Sequence, residues 1–365
     1  MSVAVAEEGH HTKDEKPKVS IVLTSYNHGP YIRQAIDSVI RQTYENWELL
    51  IWDDLSPDDS WDIIQEYTDP RIHSFRNDRT RRYIYAINES ILSVAKGEYI
   101  AIHHSDDAWH PEKLAAQVEY LDAHPKIGAV FTHVQLIDEN NENIENDWFN
   151  VPNQSREEWL RCLFLNRNSL CHPSALVSRS EYINAGLYKK VHGQTDDAEM
   201  WTRLLLRSDI YLVPKKLTLH RIFSDGGNVS GDNPVTRART HFEWFEQKKN
   251  YLGLSAEELL EIFPEAQQWM STSGESEATY LLAMIAIHLG DCQGTYLFGL
   301  DLLYQLLSNN QQAEDIEKKH GFDYLDFMAL SGKQPLFIAA KMTKQTTILC
   351  TVKTFIWRLV GKPSS

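Results

Sequence analysis

The feature that most constrains the fold is a regular alternation of apolar β-branched runs and stretches with helical spacing before residue 138. Strands are predicted at 19–26, 47–52, 71–75, 98–103 and 127–137. Helices are predicted between them, at 31–43, 60–67 (with Ser60 as its cap), 82–95 and 112–123. Strands that alternate with helices of roughly 10–15 residues form βαβ units. The sequence therefore predicts an α/β fold with a mainly parallel sheet.

Polar side chains follow three of these strands. Thr24 and Tyr26 end the first strand, Asp53-Asp54 the second, and Asp106-Asp107 follows the fourth. The carboxyl ends of parallel strands meet at one edge of a sheet, where ligands bind. Paired carboxylates there suit Mg²⁺ or Mn²⁺ carrying a diphosphate. Taken alone, Asp106-Asp107 is also explained by a solvated turn before a helix, because Asp is favoured in turns.

Charge and missing motifs exclude several function classes. A net charge of −15 argues against a general nucleic-acid binder. The three loops contain no GxGxxG, GxxxxGK[ST] or GxSxG pattern, so dinucleotide, P-loop and hydrolase functions lack their signatures. The four cysteines form no CxxC pair and are predicted to be buried, reduced thiols. No secretory signal and no apolar run of about 18 residues is found, so we expect a cytoplasmic chain without a transmembrane helix.

Several ordered motifs resemble family 2 glycosyltransferases of the GT-A fold. They are VSIVLTSYN (19–27), AIDSVIRQTY (35–44), WDDLS (52–56), GEYI (97–100), SDD (105–107) and PEKL (111–114). The resemblance covers roughly residues 18–230. It implies an inverting transferase that uses a UDP-sugar and a divalent metal, Mn²⁺ or Mg²⁺.

Site roles carried over by position follow from this resemblance. It implies that Thr24, Tyr26 and Asp54 line the nucleoside pocket, with Asp54 accepting a hydrogen bond from the uracil ring. It also implies that Asp106 meets the ribose and that Asp107 meets the metal and the diphosphate.

Three positions, in two motifs, depart from the family pattern. Many members have Asp-Ser-Asp-Asp at the positions of residues 104–107, where this chain has His-Ser-Asp-Asp. We interpret His104 as a polar residue at the strand end rather than a metal ligand. Related enzymes often end a later strand with Tyr-Arg-x-His, the His assisting the metal. Here Arg221 is kept, but His220 and Phe223 occupy the other two positions, which weakens the case for a metal role of His220.

A second acidic stretch, 194–204, has an apolar helical face behind its carboxylates. An Asp at a helix N-terminus is commonly a plain cap, and the helix macrodipole favours a carboxylate there. The spacing of Asp197, Trp201 and Arg203 resembles the family stretch that contains the catalytic base. We therefore hypothesise that Asp197 is the general base. In a helix that starts near Asp197, Glu199 points to the opposite side and Asp196 lies outside the helix.

Four segments are predicted. Residues 1–17 form a disordered tail, 18–232 the GT-A domain, 233–332 a helical region, and 333–365 a basic apolar tail without Asp or Glu. That last tail suits either an anionic membrane surface or the acidic body of the chain.

The functional hypothesis is a metal-dependent inverting hexosyltransferase. It moves a sugar from a UDP-sugar to a hydroxyl of a glycan or lipid-linked acceptor, in bacterial surface polysaccharide or glycolipid assembly. Such a protein is expected in the cytoplasm or at the inner face of the cytoplasmic membrane. The alternative is a non-catalytic GT-A protein that acts as an interaction module through its helical region.

Overall fold

The computed structural model describes residues 16–224, 233–271 and 275–333. The predicted N-terminal tail, apart from its last two residues, and the predicted basic tail beyond Lys333 lie outside the described residues. The predictions for those two tails therefore stay predictions.

The described strands form one nine-stranded sheet in the order β3-β2-β1-β4-β8-β6-β9-β5, with β7 paired to β6. They are β1 (Val19–Ser25), β2 (Trp47–Asp53), β3 (Ile72–Arg76), β4 (Tyr99–His104), β5 (Ala108–Trp109), β6 (Ile127–Ile137), β7 (Asn143–Ile144), β8 (Leu176–Ser178) and β9 (Asp209–Arg221). Strands β3, β2, β1 and β4 are parallel to one another. Strand β8 runs antiparallel to β4 and β6, while β6 and β9 pair in parallel. The α/β class is confirmed, with a sheet that is parallel in its first half and mixed in its second.

Thirteen α-helices lie within the described residues. Those of the first part are α1 (Gly29–Ile40), α2 (Ser60–Gln65), α3 (Tyr83–Glu89), α4 (Lys113–Ala123), α5 (Arg156–Phe164), α6 (Arg179–Asn184) and α7 (Asp196–Leu205). The helical region contributes α8 (Pro234–Lys248), α9 (Ala256–Ile262), α10 (Glu275–His288), α11 (Gln293–Leu307), α12 (Asn310–His320) and α13 (Tyr324–Ser331). The described helices include none that is long and apolar enough to span a bilayer.

Two local expectations were wrong. Ser60 is the first residue of α2 rather than its cap, since Asp59 holds the cap position and the Ser60 hydroxyl donates to Asp58. The predicted helix 82–95 is α-helical only to Glu89 and continues as a π-helical turn, Ser90–Val94. Both differences arise within a single turn, where the apolar spacing alone does not determine the hydrogen-bond pattern.

One buried cluster joins the sheet to the helical region. It runs from Val22 and Ile100 on the sheet through Trp201 of α7 to Leu281 and Leu303 of α10 and α11. The helical region therefore shares a core with the sheet. Among the described cysteines, 162, 171 and 292 are free thiols, but only Cys171 is buried, so the predicted burial was wrong for Cys162 and Cys292.

Candidate functional site

A cavity of about 670 Å³ opens at the carboxyl ends of β1, β2 and β4. Strand β1 lies between β2 and β4, so the strand order reverses there, as it does at ligand sites of open α/β sheets. All six side chains named from the sequence line this cavity: Thr24, Tyr26, Asp54, Asp106, Asp107 and Asp197. The fold thus brings together four segments that are far apart in the chain.

Asp54, directly after β2, is held by three donors. Its Oδ1 accepts hydrogen bonds from the Asn77 side chain and the Arg81 backbone, both at 2.7 Å. Its Oδ2 accepts the Arg82 backbone N–H at 2.8 Å. A carboxylate oxygen can accept two hydrogen bonds, so Oδ2 has room for one more. The side chain therefore clamps the loop before α3 and can still accept from a ligand; the sequence contained no signal for these donors.

At the end of β1, Thr24 belongs to a buried polar chain. Thr24 Oγ1 lies 3.2 Å from His104 Nδ1, and His104 Nε2 lies 3.2 Å from His172 Nδ1. His172 Nε2 lies 2.9 Å from the Tyr188 hydroxyl. Burial lowers the pKa of both His104 and His172, so both rings are neutral at physiological pH. Tyr26, by contrast, is 49% exposed at the cavity.

The carboxylates after β4 occupy the middle of the cavity. Asp107 Oδ1 accepts the Arg221 backbone N–H at 2.8 Å and lies 2.9 Å from His220 Nδ1. Burial opposes ionisation of Asp107, but the charge and hydrogen bond of His220 outweigh it and bring the pKa of Asp107 to about 2. Burial and the neighbouring Asp107 charge raise the pKa of Asp106. Asp106 Oδ1 lies 3.9 Å from His28 Nδ1.

The oxygen atoms at this point suit a divalent cation that is shared with a ligand. Asp107 Oδ2 is buried and has no hydrogen-bond partner in the part of the chain that is described. Across residues 16–224, 233–271 and 275–333, no three His, Cys, Asp or Glu side chains form a ready metal cage. Mg²⁺ is commonly held by one or two carboxylates together with substrate phosphates and water. Asp107 fits that kind of binding.

Two further carboxylates, Asp196 and Asp197, stand at the start of α7. Asp197 Oδ2 accepts from the Asn168 side chain at 2.9 Å, and its Oδ1 accepts the Ala198 backbone N–H at 2.7 Å. Asp196 Oδ1 accepts the Tyr83 hydroxyl at 2.6 Å. Burial raises the pKa of both carboxyl groups, and the charge of Asp197 adds to the rise for Asp196. A carboxylate with a raised pKa is a stronger base, as general-base catalysis requires.

The helix itself corrects one expectation and agrees with two others. Helix α7 begins at Asp196, so the prediction that Asp196 lies outside the helix was wrong. Glu199 is paired with Arg203 and Lys189 and is not among the residues lining the cavity. Trp201 is 1% exposed and packs inward, which anchors the first turn.

Comparison with solved structures identifies the fold. The structure of Staphylococcus aureus TarS 1–349 with UDP-GlcNAc is similar to this chain, with a TM-score of 0.56, 16% identity and coverage of 87% of this chain and 93% of TarS. The mannosyltransferase PcManGT of Pyrobaculum calidifontis, solved with GDP-Man and Mn²⁺, gives a TM-score of 0.50, 17% identity and coverage of 87% of each chain. The architecture is that of the GT-A glycosyltransferases.

The sequence comparison finds a family match over part of the chain. Residues 20–183 match the family model described as glycosyl transferase family 2. The Escherichia coli enzyme WfaP, named UDP-Glc:alpha-D-GlcNAc-diphosphoundecaprenol beta-1,3-glucosyltransferase, is 39% identical over 104 residues, which cover 28% of this chain and 41% of WfaP. This chain is therefore similar to glycosyl transferase family 2 over residues 20–183. The matched part of this chain covers only part of the length of three curated bacterial relatives: 41% of WfaP, and 39% and 66% of the other two.

Proposed function

We propose that this chain transfers a sugar from a UDP-sugar to an acceptor hydroxyl and inverts the anomeric centre. The observation that carries the proposal is the single cavity lined by all six side chains, from the end of β1 to the start of α7. Its volume of about 670 Å³ has room for a nucleotide-sugar, and several carboxylates line it. Donor, metal and acceptor functions each have a candidate group.

The donor nucleoside is proposed to bind at Thr24, Tyr26 and Asp54, with Asp106 at the ribose. Asp54 Oδ2 has the remaining acceptor position that an imide N–H needs. The exposed ring of Tyr26 supplies a flat apolar surface of the kind that packs against a base. The nucleotides in the TarS and PcManGT structures support a nucleotide-sugar donor.

Asp107 is proposed to hold Mn²⁺ or Mg²⁺ together with the diphosphate. When bound, the cation offsets the negative charge that develops on the departing UDP. The lowered pKa of Asp107 keeps its carboxylate ionised throughout the physiological range, as a metal ligand must be. The Mn²⁺ of PcManGT supports a metal in this fold.

Asp197 is proposed as the general base. The acceptor oxygen attacks the anomeric carbon, the bond from that carbon to the diphosphate oxygen breaks, and the hydroxyl proton passes to Asp197. Asn168 and the Ala198 N–H orient the carboxylate and hold it in place. General-base assistance contributes typically about 10²–10⁴ in rate.

The acceptor is proposed to be a glycan or a lipid-linked sugar in a bacterial surface polysaccharide or glycolipid. The name of WfaP, which specifies a diphosphoundecaprenol-linked acceptor, supports this class. With such an acceptor, sugar transfer takes place at the cytoplasmic face of the membrane. The proposal extends to peripheral binding at an anionic membrane surface through the basic tail.

Release of UDP tests the function directly. The full chain is incubated with UDP-Glc or UDP-GlcNAc and Mn²⁺, with and without a lipid-linked GlcNAc diphosphate acceptor, and UDP is measured. We expect slow metal-dependent hydrolysis that the acceptor accelerates. A screen of UDP-sugars without UDP release or UDP binding would refute the proposal and favour a non-catalytic role.

A further inference from the structure

A buried glutamate of the helical region holds the loop that leads to the proposed base. Glu243 lies in α8 and is 2% exposed. Its Oε1 accepts the Gly193 backbone N–H at 2.7 Å, and its Oε2 accepts those of Gln194 and Thr195 at 2.8 and 2.9 Å. The Thr195 hydroxyl also donates to Oε2, at 3.2 Å. One carboxylate thus satisfies three consecutive backbone donors immediately before α7.

The contact belongs to a continuous polar stripe. Gln247, one turn after Glu243, donates to the Thr202 hydroxyl of α7. Asn250, three residues further, donates to Glu199 of α7 at 3.2 Å. Residues 243 and 247 follow the helical i, i+4 spacing and share one face of α8, and Asn250 lies in the 3₁₀ turn Lys249–Tyr251 that follows it. That face fixes the position of α8 along α7.

The opposite side of the same loop is tied to the donor end of the cavity. Arg82 Nη2 donates to the Gly193 carbonyl at 3.1 Å, and the Arg82 backbone N–H donates to Asp54. The loop 193–195 is therefore held between the clamp at Asp54 and the carboxylate of Glu243. Asp197 lies two residues after this loop. The orientation of its side chain therefore depends on the contacts that Arg82 and Glu243 make with the loop.

We propose that Glu243 is a positioning residue that orients loop 193–195 and, through it, Asp197. The inference rests on the proposed function, in which Asp197 is the base. It makes α8 part of the catalytic unit, whereas the domain boundary predicted at 232 and 233 separates the two. Loss of the carboxylate leaves three backbone donors without an acceptor, and the loop relaxes away from the attacking geometry.

The test compares Glu243→Gln with Glu246→Gln, a change at a glutamate of the same helix whose only described ion pair is with Lys249. A glutamine side chain keeps one acceptor oxygen but turns an NH2 group toward backbone N–H donors, so the loop loses one of its two acceptor atoms while the side-chain shape is kept. Misplacement of a reacting group by about 1 Å can cost 10²-fold. We expect kcat for UDP release to fall by about 10²-fold in Glu243→Gln and to be unchanged in Glu246→Gln.

Two further measurements separate positioning from plain destabilisation. UDP affinity by calorimetry is expected to be unchanged in Glu243→Gln, and amide exchange of residues 193–197 is expected to be faster. If Glu243→Gln does not fold, Glu243→Asp is compared with the wild type in the same measurements. This change keeps the charge but shortens the side chain. A folded variant with wild-type kcat, or a slower one with wild-type exchange at 193–197, overturns the proposal. A wild type without UDP release refutes the function instead, and the exchange result still decides whether Glu243 holds the loop.

Discussion

Asn168 donates a hydrogen bond of 2.9 Å to Asp197 Oδ2, although 29 residues separate the two in sequence. The contact joins the loop after α5 to the first turn of α7. It stabilises the ionised carboxylate and so opposes the rise in pKa that burial causes. Asn168 therefore both orients the proposed base and sets the pH at which it becomes active.

The first prediction concerns Asp197 itself. Asp197→Asn keeps the side-chain shape but cannot accept a proton, so transfer is expected to fall by about 10²–10⁴. UDP binding, measured by calorimetry with Mn²⁺, is expected to be retained. Asp196→Asn is the control and is expected to be milder, because Asp196 accepts from the Tyr83 hydroxyl. Near-normal turnover in Asp197→Asn would give the role to a neighbour.

The second prediction concerns pH. The base acts when it is ionised, so activity is lost as the pH falls through its pKa, which burial raises above the usual range for Asp. Asn168→Ala removes a donor to the charged form and raises that pKa further. The acid limb of the kcat–pH profile is expected to move to higher pH in this variant. A limb at the same or a lower pH would show that Asn168 does not act on the base.

The third prediction concerns the metal. Asp107→Ala removes the carboxylate with the unpartnered buried oxygen, so Mn²⁺ is expected to lose its effect on UDP affinity. Calorimetry with Mn²⁺ and with EDTA measures this effect. Asp62→Ala, at an exposed position on α2, is the control and should keep the wild-type metal dependence. Equal UDP affinity with Mn²⁺ and EDTA in the wild type would remove Asp107 as a ligand.

The fourth prediction concerns the nucleoside pocket. Asp54→Ala removes the acceptor for the uracil and frees the loop before α3, so UDP binding is expected to weaken with or without metal. Asn77→Ala deletes one of the three donors to Asp54 but keeps its carboxylate, and a smaller loss is expected. If both variants weaken UDP binding by the same factor, Asp54 acts only by holding the loop.

The positions of the parallel strands and the acidic residues at their ends were predictable. Strands β1, β2 and β4 are short, largely apolar runs between turn residues, and that pattern depends only on local spacing. The position of Asp54 and of Asp106-Asp107 after such strands places them at one edge of the sheet. The start of α7 was predicted to within one residue, because a change from acidic to apolar residues marks a helix N-terminus.

The partners of these carboxylates were decided by the tertiary structure alone. Asn168 at Asp197, Tyr83 at Asp196 and Glu243 at loop 193–195 are contacts between residues 29, 113 and 48 to 50 positions apart. Such pairs leave no periodic signal, because each needs only one suitable side chain at one position. Burial raises the pKa of Asp196 and Asp197, and burial is a property of the packed fold. The sequence by itself determined which acidic groups meet at the sheet edge. The packing determined their hydrogen-bond partners, their pKa values and the orientation of their side chains.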